Sequence, residues 1–374
     1  VTHAYFIGLM SGTSLDGVDA VLASIDPQGK PTVLARACQE FPDALRAEFL
    51  ALNQTGGHDE LARAALAANA LADMYALAVQ ATLDQTNLPP ASIAAIGAHG
   101  QTVRHQPAQG FTIQLNAPAR LAERTGISVI ADFRSRDVAA GGQGAPLVPM
   151  FHAGVFSSDQ PRVVLNLGGI ANITILRPET NPIGFDTGPA NVLMDMWCQL
   201  HTGAAFDENG AWGASGKVHA GLQQHLLESE PWFALAAPKS TGRDLFHQSW
   251  LEARLQHVTR ELEYGQALRP QDVQATLRDL TVRSVVMAIQ RYAPDAVDVL
   301  VCGGGARNQA LLADLRGALP CPVQLTDSAG IVTQDVEALA FAWLAWAHQR
   351  GLAASNPGVT GARGARILGA TWPA

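Results

Sequence analysis

Hydrophobic positions open the chain in two short runs, residues 5–10 and 18–25, around the turn Ser11-Gly-Thr-Ser-Leu-Asp-Gly17. Two apolar runs flanking small and polar residues predict a β-hairpin. Leu61, Ala65, Ala68, Leu71, Tyr75, Ala78 and Thr82 then recur every three or four residues. That period predicts a long amphipathic helix over residues 59–85, stopped by Pro89-Pro90. Residues 93–98, 111–115 and 128–133 read as strands and 119–124 as a short helix. Strands interleaved with helices predict a mixed sheet flanked by helices.

A glycine-rich stretch at residues 139–145 suggests a domain boundary near 134–144. Beyond it the opening pattern recurs. An apolar run at 162–167 leads through Gly168-Gly169 into another at 170–176, and a third glycine turn lies within 297–308. The recurrence points to a duplicated architecture, one copy in each half. Helical patterns cover residues 189–200, 219–227, 248–262, 270–292, 308–319 and 335–349; a strand-like piece at 365–368 interrupts the Gly- and Pro-rich end.

A chain of 374 residues exceeds what one core usually supports, so two domains are expected. With 48% apolar and 16% charged residues it has enough apolar surface for sizeable cores. A net charge of −8 gives no general attraction to nucleic acid or an anionic membrane, and neither is expected as a partner. Cys38, Cys198, Cys302 and Cys321 form no C-x-x-C pair, which argues against zinc and for a reducing cytoplasm. The opening residues lack a basic stretch, and no apolar run approaches 18 residues, so neither a signal peptide nor a membrane span is expected.

Three glycine turns carry candidate chemistry. In Gly12-Thr13-Ser14-Leu15-Asp16-Gly17-Val18-Asp19 a tight backbone offers N–H groups to phosphate, and Asp16 and Asp19 offer hard oxygens for Mg²⁺, directly or through water. The same turn also fits an ordinary hairpin tip. Asn166-Leu167-Gly168-Gly169-Ile170-Ala171-Asn172 resembles it. Gly303-Gly304-Gly305-Ala306-Arg307-Asn308 follows a strand and opens a helix, a ready anion site. No P-loop or G-x-G-x-x-G motif occurs. Asp186, read in a loop before a helix, is either a helix cap or a general base; Asp207, Glu208 and Asp244 compete with it. His99 and His105 flank a polar segment that suits a cleft rim better than a metal site, and Arg134 and Arg136 end a strand where a carboxylate or phosphate can be held. Glu337 reads as a solvated helical position.

Six blocks, in order along nearly the whole chain, resemble the anhydro-N-acetylmuramic acid kinase family. They are residues 10–19, 99–103, 131–134, 166–172, 185–189 and 302–308. The resemblance implies an α/β, actin-like ATPase (ribonuclease H-like) fold of two lobes, each a mixed sheet flanked by helices, with ATP in the interdomain cleft. An N-terminal lobe of residues 1–135 would be joined by 352–374 packing back on it, and 136–351 would form the second lobe. It further implies Mg²⁺-ATP as donor, a sugar acceptor, cytoplasmic cell-wall recycling and a homodimer. By motif, Asp186 matches the base. Gly12, Thr13, Ser14, Leu15, Asp16, Gly17, Val18 and Asp19 match the phosphate-gripping turn, with Gly168, Gly169 and Asn172 on a second loop. Gly303, Gly304, Gly305 and Asn308 match the adenosine side. Ser11, His99, Gly100, Arg134, Asp186 and Glu337 match the sugar contacts. The alternatives are a kinase for another sugar, a plain ATP hydrolase, or a nucleotide-dependent regulator that polymerises.

Overall fold

The computed structural model describes residues 3–12, 15–243, 245–261 and 267–374. Thr13 and Ser14 of the first glycine turn, and the competing carboxylate Asp244, lie outside the described residues. The chain forms two compact units, residues 1–156 with 335–374, and residues 157–334.

The first unit runs β1 (Ala4–Met10), β2 (Gly17–Ile25), β3 (Pro31–Glu40), α1 (Asp43–Leu52), α2 (Glu60–Thr86), β4 (Ile93–Ala98), β5 (Gln101–Gln106), β6 (Phe111–Leu115), α3 (Pro118–Thr125), β7 (Val129–Ala131), α4 (Ser135–Ala139) and α5 (Pro149–Phe156). The second contains β8 (Arg162–Leu167), β9 (Ile170–Leu176), β10 (Ile183–Pro189), α6 (Asn191–Thr202), α7 (Ala211–Ala214), α8 (Ala220–Glu228), α9 (Gln248–Glu261), α10 (Pro270–Tyr292), β11 (Asp298–Cys302), α11 (Gln309–Ala318) and β12 (Val323–Leu325). The chain then re-enters the first unit with α12 (Val336–Gln349), α13 (Pro357–Thr360) and β13 (Ala370–Trp372).

Both units use one sheet plan. In the first, the order is β13-β7-β4-β1-β2-β3; β2 is antiparallel to β1 and β3, while β4 and β7 run parallel to β1. In the second, the order is β10-β9-β8-β11-β12; β9 is antiparallel to its neighbours, while β11 and β12 run parallel to β8. An antiparallel meander extended by parallel strands is thus built twice. It is the α/β, ribonuclease H-like arrangement of actin-type proteins expected from the sequence, and it gives the faint duplication of glycine turns a physical basis.

Helices cover both faces of the first sheet. On length and composition α2 could cross a bilayer, but Leu71, Ala72, Tyr75, Ala78 and Val79 are buried in the core of the unit. The opposite face meets α12, which is apolar nearly all round and buried from Ala338 to Ala347, as a core helix must be. The approach is close enough to dictate sequence. A Cβ on Gly8 would collide with the carbonyl of Ala338, and one on Gly97 with the carbonyl of Phe341.

Several elements differ from the sequence reading. The domain boundaries expected at 135/136 and 351/352 fall within the first unit, because α5 and α12 pack there. The strand expected at 365–368 lies instead at Ala370–Trp372, where it pairs antiparallel with β7. The strand expected at 128–133 shortens to Val129–Ala131, and α6 starts at Asn191 rather than 189. Residues 183–189, read as a loop around Asp186, form edge strand β10.

Candidate active site

In the first unit the chain leaves β1 at Ser11, and its partner β4 is followed directly by His99 and Gly100. All three are buried, and Tyr75 of α2 meets them from below. Gly100 N–H donates to Tyr75 Oη (3.0 Å), and Ser11 Oγ donates to Gly100 O (3.0 Å). That leaves the tyrosine hydroxyl to donate to Ser11 Oγ at 3.1 Å, closing a ring of three hydrogen bonds. Burial pushes the Tyr75 phenol up to about 12 and keeps it protonated for this role.

His99 continues the network. Arg134 Nη2 and Nε lie 2.8 and 3.3 Å from its Nε2, and a guanidinium only donates. Nε2 is therefore the acceptor and Nδ1 carries the proton, donated to Ser11 O at 3.3 Å. Burial, and then the charge of Arg134, push the imidazole down to about 3. Arg134 also donates through Nη1 to Gly144 O (2.7 Å), fixing the glycine-rich stretch that the sequence singled out. Buried Asp137 clamps the same stretch, accepting from Gly144 N and Thr360 Oγ1, each at 2.8 Å. Arg136 is exposed, so of the two arginines only Arg134 enters the network.

Ser11, His99, Gly100 and Arg134 are thus one connected group. Glu337 lies in the first turn of α12, partly buried rather than solvated. Four residues on, the Phe341 ring packs tilted against His99 with ring centroids 4.8 Å apart, and residues four apart share a helix face.

The first glycine turn divides by role. Leu15 and Val18 send their side chains into the core, leaving only their backbone for a ligand. Leu15 sits at φ 57, where a branched side chain is rare; Arg46 Nε holds its carbonyl at 2.9 Å, and Gly12 O accepts its N–H at 3.3 Å. A Cβ on Gly17 would collide with the carbonyl of Gln39, so that glycine serves the β2–β3 contact. Asp16 and Asp19 are exposed. Burial, then the charges of Asp19 and Asp16, raise the Cys38 thiol to about 11, which marks the two carboxylates as neighbours of one spot. Among the described residues no cluster of three or more His, Cys, Asp or Glu suits a metal. Two exposed carboxylates suit Mg²⁺, which keeps most of its ligands as water and phosphate oxygen.

In the second unit, Asn166, Asn172 and Asp186 stand opposite one another on β8, β9 and β10, and Cys302 on β11 extends the row. Asp186 is only 7% exposed. Its N–H donates to Lys239 O (3.0 Å), and its Oδ2 accepts from Thr241 N–H (2.9 Å). It caps no helix: the N–H groups of Ala190, Asn191 and Val192 at the start of α6 are taken by the carbonyls of Gly168 and Gly169. The ladder shifts register just beyond Asp186, a bulge of the kind that re-aims a side chain. Asn172 Oδ1 is buried with no partner, an acceptor awaiting a donor. The competitor Asp207 is committed locally, accepting from Trp212 N and Gly213 N at 2.8 Å each, while Glu208 is exposed.

The third turn leaves β11 at Gly303, φ 85, where a Cβ would strike Asn166 Oδ1. Gly305 packs on Leu167, and Asn308 caps α11 by accepting from Leu311 N (3.0 Å). Gly168 and Gly304 are different. A Cβ on Gly304 would meet only Asn191 Nδ2 at 3.9 Å, and one on Gly168 nothing nearer than 3.5 Å. Packing does not require glycine at either position, and without a Cβ each backbone is open to close approach.

The model of the anhydro-N-acetylmuramic acid kinase family matches residues 4–374. The chain belongs to the anhydro-N-acetylmuramic acid kinase family. The protein of that name from Bordetella petrii is 62% identical over 369 residues, 99% of this chain and 96% of the relative. Its namesake from Chromobacterium violaceum is 50% identical over 370 residues, 98% of this chain and 99% of the relative. Among solved structures, an activator of the 2-hydroxyisocaproyl-CoA dehydratase from Clostridium difficile with bound ADPNP is similar at 12% identity and TM-score 0.47, covering 92% of this chain and 96% of its own. A ROK family glucokinase from Streptomyces griseus in complex with glucose and AMPPNP is similar at 13% identity and TM-score 0.39, covering 91% and 98%.

Around Asp186, sequence reasoning for this anhydro-N-acetylmuramic acid kinase family member passes over Lys239 and Thr241. Both reach Asp186 through the backbone, which leaves no side-chain pattern to read.

The buried histidines carry a prediction. His99 and His152 are held down to about 3 and His105 to about 4, in each case chiefly by burial. Between these values and the ordinary 6.5 the unfolded chain binds more protons than the folded one, so stability falls as pH falls through that window. Denaturant midpoints should be lower at pH 5 than at pH 7. His152→Phe, placed between Phe151 and Phe156, should flatten the slope; equal slopes would show that His152 is not held neutral.

Proposed function

We propose that this chain is an ATP-dependent kinase for 1,6-anhydro-N-acetylmuramic acid, opening the anhydro bridge and yielding N-acetylmuramic acid 6-phosphate and ADP. The observation that carries the reading is the placement of Asp186: a nearly buried carboxylate, oriented by a backbone N–H, next to an unmet acceptor on Asn172. Asp186 takes a proton from a water as that water's oxygen bonds to the anomeric carbon. The bond from that carbon to O6 breaks, and O6 attacks the γ-phosphorus, expelling ADP. Ser11, His99, Gly100, Arg134 and Glu337 orient the sugar. Arg134, whose charge is fixed, gives that group its cationic donor.

The backbones of partly buried Gly168 and exposed Gly304, with the Gly12–Asp19 turn, supply N–H groups to the nucleotide. Asp16 and Asp19 would hold Mg²⁺ through water, and the ion would neutralise charge developing on the phosphates. In this reading the reaction belongs to recycling of cell-wall fragments in the cytoplasm, and the enzyme works as a homodimer.

The test is mass spectrometry of the product formed in ¹⁸O-water. One ¹⁸O on the sugar carbon and none in the phosphoryl group is expected. Label in inorganic phosphate, with the sugar unchanged, would identify an ATP hydrolase instead.

A further inference from the structure

Among the described residues β10 is the edge strand of its sheet, so its outer backbone groups pair outside the ladder. An irregular strap, residues 239–241, supplies them at Asp186. Lys239 O accepts the Asp186 N–H at 3.0 Å, and Thr241 N–H donates to Oδ2 at 2.9 Å. Main chain and carboxylate are therefore tied to the same three residues.

Lys239 fastens the strap in turn. Its Nζ donates to the carbonyls of Trp232 (3.2 Å) and Phe233 (3.0 Å) and stands 4.1 Å from the centroid of the Trp232 ring. The indole N–H of Trp232 returns to Ser240 O at 3.1 Å. Trp232 is itself anchored: Glu230 accepts from its backbone N–H (3.1 Å), from Trp250 Nε1 (2.9 Å) and from Arg254 Nη2 (3.0 Å), the last two on α9.

We propose that Lys239 is a positioning residue for Asp186, its ammonium locking the strap that sets the carboxylate's orientation. The proposal rests on the reading of Asp186 as the base. Burial first, then repulsion by Arg291 of α10, push the Lys239 ammonium down to about 8, while Asp186 pulls it back up. The charge that locks the strap is thus poised to leave in mildly alkaline solution.

Lys239→Met keeps the length and removes the charge and donors. It should lower kcat for sugar-dependent ADP release about ten- to hundredfold, the scale of a small misplacement at a reacting centre. KM for sugar and ATP should stay within about threefold, since neither ligand touches Lys239 in this reading. The acid limb of the kcat profile should move to higher pH, because a cation favouring the carboxylate is gone. Lys239→Arg should restore kcat. It should also remove the wild-type decline as pH rises through about 8, since arginine keeps its proton. That comparison decides the matter if Lys239→Met does not fold: the same alkaline limb in wild type and Lys239→Arg overturns the proposal. Wild-type kcat and an unshifted profile in Lys239→Met overturn it too. Asp186→Asn run alongside separates the two levels. Activity retained there removes the underlying reading, whereas an inactive Asp186→Asn beside an unaffected Lys239→Met removes the strap alone.

Discussion

Asp186→Asn should lose sugar phosphorylation almost completely, with kcat down by about 10²–10⁴, the usual contribution of a positioned general base. The substitution is close to isosteric. An asparagine carbonyl still accepts the Thr241 N–H, and the backbone N–H still reaches Lys239 O, so the local fold has no reason to change. What is lost is the ability to take a proton from water. Nucleotide binding, measured by calorimetry with a non-hydrolysable analogue, should be nearly unchanged. Phosphorylated sugar formed at the wild-type rate by this variant would remove Asp186 from the chemistry.

The second large effect is expected at Arg134. Methionine there removes the donors to His99 Nε2 and Gly144 O, and with them the fixed cation assigned to the sugar. A charge-assisted hydrogen bond contributes about 1.5–3 kcal/mol, so kcat/KM for the sugar should fall at least about tenfold for each such bond lost. KM for ATP should move less than about threefold if Arg134 serves the sugar alone. Lysine should rescue poorly, because a point charge cannot fork between an imidazole nitrogen and a carbonyl as the planar guanidinium does. Steady-state kinetics with each substrate varied in turn checks both statements. Equal losses for ATP and sugar would mean that Arg134 supports the fold rather than a ligand.

Much of this architecture was legible before any coordinates. Hairpins β1–β2 and β8–β9 follow from apolar runs around small polar turns, and α2 and α10 from a sustained helical period. The motifs single out Ser11, His99, Gly100 and Arg134, and one hydrogen-bond network joins their side chains and backbone. Asp186 was misplaced in a loop because Gly184, Gly188 and Pro189 are breaker signals. An edge strand with a bulge tolerates all three, since no further strand needs the missing N–H. β3 was missed for a related reason. Polar Arg36, Gln39 and Glu40 interrupt its hydrophobic pattern, as edge strands allow. The return of the chain to the first unit is read too late, at 352 rather than 335, because α12 is apolar nearly all round. Such a helix announces burial without saying in which unit.

The close seat of α12 on Gly8 and Gly97 has a consequence for biosynthesis. β1 and β4 leave the ribosome early, but the helix that covers their apolar face is encoded only from residue 336. At about 5–20 residues per second, β4 waits roughly ten to fifty seconds for it. The second unit is translated whole in that interval. The usual vectorial order is therefore inverted. The nascent chain completes its internal unit first and carries an unfinished sheet, its apolar face open to other polypeptides, until α12 has been made.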